Sequence, residues 1–572
     1  MCGIHALITP TPPASQPLPS LPPNLDHRLR ARGPDHFGQV SRLVIPRTGS
    51  EIPSSSNAQS WTLRLTSTVL ALRGDHVARQ PLQYEDGKGS VLCWNGEAWR
   101  VRGRGVGEGN DGEVVFGLLS AAAAAAADAD ADAAVVEVLR AVEGPFAFVF
   151  YEAGQGRVYF GRDRLGRRSL LRRGKLGEGG GMELCSVSGE GEGWKEVEAD
   201  GVYAMTLGAG GEVVERYEWV VGGEGEGNYV SGIGRFNKAL PSGGAPPLTA
   251  DSPSVNMLRE QLLESLRLRV LHIPLPPASD ADGKTRVAVL FSGGLDCAVL
   301  ARLCHEVLDP GHGIDLLNVA FENPRVVAQL QKENGNLPDF YEACPDRVTG
   351  RRSFAELQTV CPGRAFRFVA VNIPYTETQA HRPQVVSLIH PHNTEMDLSI
   401  AFALYFAARG QGFSTQASGD GPSVPYTYPA RVLLSGLGAD ELFGGYSRHP
   451  SAFQQRGYPG LVDELLLDVG RLGKRNLGRD DRAMSHWGKE VRFPFLDERL
   501  VKWAIDTPAW EKCDFENGEE ISGVEPGKRV LRLLALNMGM EKVAREKKRA
   551  IQFGSRTAKM ESGRVKGTTL IS

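Results

Sequence analysis

The chain has 572 residues, too many for one hydrophobic core, so two domains or at most three are expected. A hydrophobic content of 41%, a charged content of 23% and a net charge of −3 fit an ordinary globular protein with no pull toward nucleic acid or anionic membranes. No apolar run reaches about 18 residues, which excludes a membrane-spanning helix, and the eight scattered cysteines lack any Cys-x-x-Cys pair, so they read as reduced thiols of a cytoplasmic protein rather than disulfides or a zinc site.

In chain order, the first feature is Met1-Cys2-Gly3-Ile4. With the initiator methionine removed, Cys2 would combine a thiol nucleophile and a free α-amine, which titrates near pH ~8 and can act as general base at neutral pH. The proline-rich stretch Pro10–Pro23 breaks any apolar core of a signal peptide. Low-complexity stretches at Thr48–Ser60, Gly177–Gly193 and Gly222–Gly227 read as solvated insertions, whereas the alanine run Ala121–Ala134 can extend a helix. Strands are predicted at Val91–Trp94, which leads into Asn95-Gly96-Glu97, and at Phe146–Tyr151 and Val158–Gly161, joined by a hairpin turn. The segment from Gly222 to about Ser254 reads as a linker.

Beyond it, apolar strands at Val287–Phe291, Leu316–Ala320 and Val432–Leu434 alternate with helices at Val255–Leu271 and Cys297–Leu308, as in a doubly wound, mostly parallel sheet. The first of these strands runs into Ser292-Gly293-Gly294-Leu295-Asp296-Cys297 and a helix. Two glycines let backbone N–H groups approach an anion at the helix N-terminus, and Ser292 adds a hydroxyl donor. Asp296 stands where it either holds Mg²⁺ or caps the helix. The strand Val432–Leu434 ends in a second loop, Ser435–Tyr446, in which Asp440-Glu441 either faces the same ligand or simply favours a helix start.

Together these residues resemble the glutamine-dependent asparagine synthetases. Met1–Ile4, Arg32-Gly33-Pro34-Asp35, Leu70–Arg73, Gln80-Pro81-Leu82, Asn95–Glu97, Asn110–Glu113 and Gly161–Gly166 match the class II glutamine amidotransferases, which are N-terminal-nucleophile hydrolases. Ser292–Asp296 is the Ser-Gly-Gly-x-Asp loop of the ATP-pyrophosphatases, and Ser435–Tyr446, Arg482-Ala483-Met484 and Gly488–Asp497 resemble the synthetase domain. Ser435–His449, Gly478–Arg482 and Gln552–Arg556 most resemble the branch called asparagine synthetase domain-containing proteins.

The resemblance implies an αββα sandwich (2–221), a linker (222–254) and an α/β doubly wound ATP-pyrophosphatase domain (255–572). The implied activity is a carbon–nitrogen ligase that amidates aspartate through β-aspartyl-AMP, with ammonia from glutamine. ATP and Mg²⁺ are the implied cofactors and glutamine and aspartate the substrates. Nucleic acid and membrane are not implied, and a homodimer is compatible with the resemblance. Residue by residue, Cys2 is the nucleophile, and the Asn95 side chain and Gly96 N–H form the oxyanion hole. Arg73 holds the glutamine α-carboxylate, with Glu97 and Asp111 at the ammonium end. Ser292, Gly293, Gly294 and Asp296 take pyrophosphate, Leu290 and Val319 line the adenosine pocket, and Ser435 and Gly436 contact the nucleotide. Asp296 and Asp440 are the metal carboxylates, and the adenylation cation falls within Lys547-Lys548-Arg549, assigned to Lys548.

Three departures stand out, one being that the spacing to Gln552-Phe553 leaves the register of the cation within Lys547-Lys548-Arg549 open. Leu437 occupies the position where the family carries a glutamate held to assist ammonia attack, and general acid–base help is worth roughly 10²–10⁴-fold. Cys297 replaces a serine, which keeps size but weakens hydrogen bonding. Four readings are therefore compatible with the resemblance: an asparagine-forming ligase, a glutaminase with an impaired synthetase half, a non-enzymatic pseudo-synthetase scaffold, or an amidotransferase that activates a different acid.

Overall fold

The computed structural model describes residues 2–11, 19–45, 60–85, 87, 89–125, 131–174, 181–208, 211–220, 229–274, 285–334, 339–414, 423–474, 476–518, 523–560 and 566–571. They fall into two compact units, Met1–Glu226 with Leu472–Gly488, and Gly227–Arg471 with Lys489–Ser572. Residues Leu472–Gly488, which the sequence placed with the second domain, thus pack inside the first unit.

The first unit is an αββα sandwich. One sheet has six strands, with Gly3–Pro10 between Met182–Cys185 and Trp61–Val69, and the other has five, including Val91–Gly96, Phe146–Glu152 and Arg157–Arg162. Strand alternation sends Ile4, Ala6, Ile8, Leu63 and Leu65 from one sheet against Cys93, Val149 and Phe160 from the other. On the outer faces, Leu25 and Leu29 of the helix Pro23–Arg32 cover the first sheet. Helices Asp111–Ala125 and Ala131–Arg140 cover the second with Val115, Leu119, Val135 and Leu139.

The predicted strands are present at Val91–Gly96, Phe146–Glu152 and Arg157–Arg162, and both flanks of the alanine run are helical. Two expectations are corrected. The Gly/Glu-rich stretch Gly177–Gly193 contains a strand, Met182–Cys185, whose apolar Met182 and Leu184 face the core beside Ile8 and Ala6. The expected linker is not free chain after Tyr229: it makes a two-stranded turn, Asn237 N–H donates to Ile505, and Leu248 N–H donates to Asp514. The stretches Thr48–Gln59 and Gly222–Gly227 lie outside the described residues.

The second unit holds a seven-stranded sheet. Its five parallel strands lie in the order Phe366–Ile373, Ile314–Phe321, Val287–Leu290, Val432–Leu434, Glu490–Arg492, with an antiparallel hairpin at one edge. The chain starts the sheet at Val287–Leu290 and later returns to both of its sides. That makes the gap between Val287–Leu290 and Val432–Leu434 the topological switch point, where doubly wound folds bind ligands. Both candidate loops leave this pair of strands. The predicted helices appear as Pro253–Val270 and Leu295–Val307. Among the described residues no helix is long and apolar enough to cross a membrane, and none of the eight cysteines is in a disulfide.

Candidate functional site

In the first unit the site is built around Cys2, which ends on the buried strand Gly3–Pro10. Gly3 is required there because a β-carbon would lie 2.5 Å from Thr68 Oγ1, the atom that receives the Gly3 N–H at 3.0 Å. The Cys2 backbone nitrogen, the amine of a chain beginning at Cys2, donates to Asn95 Oδ1 at 3.0 Å. The other end of the same amide, Asn95 Nδ2, is buried without a hydrogen-bond partner. A buried amide donor left unpaired costs roughly 1–3 kcal/mol unless a ligand completes it. Gln80 presents its Nε2 to the Cys2 thiol at 3.8 Å while its Oε1 accepts the Trp94 N–H, so the glutamine is held from both sides.

Arg73 is buried and already committed: it contacts Glu97 Oε2 at 3.3 Å and the carbonyls of Ala98 and Gly107, and it lies 5.6 Å from the Trp99 ring. Glu97 therefore stands beside Arg73. Asp111 begins its helix, and its Oδ2 accepts from Trp94 Nε1 at 2.9 Å and from Ala98 N–H at 2.8 Å. This carboxylate fixes the loop that carries Asn95, Gly96 and Glu97. Asp111→Ala should destabilise the first unit by about 2–3 kcal/mol in chemical denaturation, since two buried donors lose their acceptor. A group that served only the glutamine ammonium would instead raise KM at unchanged stability.

In the second unit, Ser292 Oγ accepts from Gly294 N–H at 3.3 Å, and Ser353 Oγ–H donates to the Gly293 carbonyl at 2.6 Å, which fixes the turn. Cys297 donates its thiol to the Gly294 carbonyl at 3.2 Å, and burial pushes that thiol up to about 11. The two loops touch: a β-carbon on Gly436 would lie 2.8 Å from that of Asp296. Leu290 ends its strand beside Leu317, and Val319 lies two residues further along that neighbouring strand. Leu437 is half-buried, its N–H donating to Ser435 Oγ at 3.3 Å.

Asp296 and Asp440 converge on one cation that the sequence reading missed. Lys528 Nζ lies 2.8 and 2.7 Å from the two oxygens of Asp296 and 2.7 Å from Asp440 Oδ1. Lys548, the expected adenylation cation, pairs with Asp440 Oδ2 and lies 4.3 Å from the Tyr446 ring. Tyr446 in turn donates to Glu441 at 2.6 Å. Burial alone would raise Asp440, but Lys528 and Lys548 outweigh it and hold that carboxyl down to about 2, while the two aspartates push Lys528 up. Lys528 sits in the turn before the apolar-faced helix Arg529–Asn537, with a positive φ of 54°. The turn residues Pro526-Gly527 mark a turn in the sequence, but nothing local says which way the amine faces.

Two carboxylates from adjacent loops are the number a protein commonly supplies to a magnesium ion that also binds nucleotide phosphates. No cluster of three or more metal-ligating side chains occurs among the described residues. The donor set fits Mg²⁺ carried by a nucleotide, and does not fit a cage made by the protein alone.

Comparison with known proteins shows the family of the chain. The asparagine synthase family profile matches residues 453–568. Asparagine synthetase domain-containing protein 1 of Bos taurus is 32% identical over 94% of this chain and 93% of its own length. The chain belongs to the asparagine synthetase domain-containing protein 1 family. The Homo sapiens member is 31% identical over 98% of this chain and 96% of its own. Outside the named branch, a putative glutamine-hydrolysing asparagine synthetase of Methanocaldococcus jannaschii is 37% identical over 153 residues, covering 23% of this chain and 28% of its own. The family is asparagine synthase-like, and this member carries its asparagine synthase match at residues 453–568, behind the αββα sandwich.

Proposed function

We propose that this chain is a glutamine-hydrolysing, ATP-dependent ligase that converts aspartate to asparagine. The observation that carries the reading is the division of Asn95: its carbonyl oxygen takes the Cys2 nitrogen while its buried amide NH₂ stays unpartnered. That is the geometry expected of an oxyanion donor preorganised beside a nucleophile.

The amine of Cys2 takes the thiol proton as sulfur attacks the side-chain carbonyl of glutamine. Asn95 Nδ2–H and the Gly96 N–H stabilise the oxyanion, ammonia leaves with the proton, and water hydrolyses the thioester to glutamate. Arg73 and Glu97 bind the α-carboxylate and α-ammonium ends of the substrate, with Asp111 bracing their loop. In the second unit, Ser292–Asp296 hold the phosphates, Leu290 and Val319 pack on adenosine, and Ser435-Gly436 contact the nucleotide. The aspartate β-carboxylate attacks the α-phosphorus and pyrophosphate leaves, its charge met by Lys528 and Lys548. Ammonia then displaces AMP. Mg²⁺, held by Asp296 and Asp440, would supply neutralisation of phosphate charge when bound.

Leu437 favours a second reading, in which adenylation proceeds but amide transfer is slow. An apolar side chain cannot take the proton from attacking ammonia. The expected result is aspartate-dependent exchange of labelled pyrophosphate into ATP that outpaces asparagine formation by about 10²-fold, within the range of lost general-base help. Leu437→Glu should raise the ammonia-dependent rate. Rapid asparagine synthesis by the unaltered protein would show that another group takes the proton. Absence of any aspartate-dependent exchange would remove aspartate as the acceptor.

A further inference from the structure

The helix Leu477–Ser485 comes from the C-terminal half of the sequence but is buried in the first unit, and it carries charges rather than an apolar face toward its surroundings. Asp481 is fully buried, and its Oδ2 accepts from Arg32 Nη2 at 2.9 Å and from the Ser169 N–H at 3.2 Å. Arg32, equally buried, also donates through Nη1 to Ser485 Oγ on the same helix. The third nitrogen of the guanidinium, Nε, donates to the backbone carbonyl of Cys2 at 3.3 Å.

The planar fork of an arginine fixes direction as well as charge, so orienting two of its nitrogens orients the third. Cys2 is thereby tied at both ends of its backbone, the nitrogen to Asn95 and the carbonyl to Arg32. A nucleophile at a chain terminus has rotational freedom that must be removed if sulfur, amine and oxyanion donors are to stay in register. Misplacement by about 1 Å can cost ~10²-fold in rate. A buried arginine also needs a buried countercharge, and Asp481, from the C-terminal half of the chain, supplies it.

We propose that Asp481 is a positioning residue for the amidotransferase nucleophile, acting through Arg32 on the Cys2 carbonyl. This rests on the amidotransferase reading of the first unit. It goes beyond that reading by making glutamine hydrolysis depend on a helix encoded far downstream of the nucleophile, with Asp481 separated from its partner Arg32 by 449 positions.

The test uses the full chain. Asp481→Asn keeps the shape and removes the charge, and Ser485→Ala removes the other side-chain partner on the helix while leaving the ion pair intact. For Asp481→Asn, kcat for glutamine hydrolysis should fall about tenfold or more with KM within about twofold, because alignment and not substrate binding is lost. Ser485→Ala should move kcat in the same direction by about threefold. Rates are normalised to molecules labelled at Cys2 by the glutamine analogue 6-diazo-5-oxo-L-norleucine, so that loss of folded protein does not count as loss of rate. Unchanged kcat per labelled molecule in both variants, even with a lowered Tm, overturns the proposal and leaves the pair purely structural. Wild-type protein that neither hydrolyses glutamine nor is labelled at Cys2 overturns the amidotransferase reading and this proposal with it.

Discussion

Cys2→Ala should reduce glutamine hydrolysis at least ~10⁴-fold, because removal of a covalent nucleophile leaves only the binding groups and oxyanion donors. Ammonia-dependent, ATP-consuming activity should stay within about twofold of wild type, since the phosphate loops belong to a separate unit built on its own sheet. The substitution is mild for the fold. It deletes one sulfur atom and with it the long contact from Gln80 Nε2, and keeps the backbone contacts of the nitrogen to Asn95 Oδ1 and the carbonyl to Arg32. Separate assays of glutamate and of AMP check both halves. Equal loss of the two activities would mean that the chemistry is misplaced or the variant misfolded. The assignment also requires a chain that begins at Cys2, because the base is its free amine; retained or acetylated Met1 in an intact-mass measurement removes it.

What could be read from the sequence was whatever is carried by short contiguous motifs. Cys2, Asn95-Gly96 and the two serine–glycine loops each lie where a strand ends, and strand ends are marked locally by apolar runs that give way to small residues. Their convergence follows from sheet order: once Val287–Leu290 and Val432–Leu434 are neighbours, the loops meet, as the near-contact of Gly436 with Asp296 demonstrates. Features that depend on distant partners were not legible. Arg479-Asp480-Asp481-Arg482 has the composition of a solvated helix, yet all four are buried: Arg479 pairs with Asp480, Asp481 takes Arg32 and the Ser169 N–H, and Arg482 donates to Ser169 Oγ and Glu196. Met182–Cys185 was hidden because the glycines and glutamates around it dominate the local composition, although only four residues are needed to fill a strand position beside Gly3–Pro10. Lys528 finds its aspartate 232 residues away, a distance over which no local pattern carries information.

Lys528→Met should lower ATP-dependent pyrophosphate release about 10²–10³-fold, as expected when one preorganised charge is taken from a site where negative charge develops. Glutamine hydrolysis at Cys2 should remain within about twofold. The same change should cost about 3 kcal/mol of stability, because it leaves Asp296 and Asp440 together with Lys548 as their remaining lysine. The stability deficit has a defined pH dependence. Asp440 is held near 2 in the folded protein against an ordinary value of 3.8, so its contribution is present above about pH 4 and fades as pH falls toward 2. In the variant much of that contribution is already gone, so the gap between wild type and Lys528→Met should be full at neutral pH and narrow below pH ~4, as Asp440 takes up its proton. Lys528→Arg separates charge from position: it should recover most of the stability but not the rate, since a guanidinium cannot place one compact ammonium among three carboxylate oxygens. If the Met variant releases pyrophosphate at the wild-type rate per folded molecule, Lys528 serves only to neutralise two aspartates, and the charge met by the leaving pyrophosphate comes from Lys548 alone.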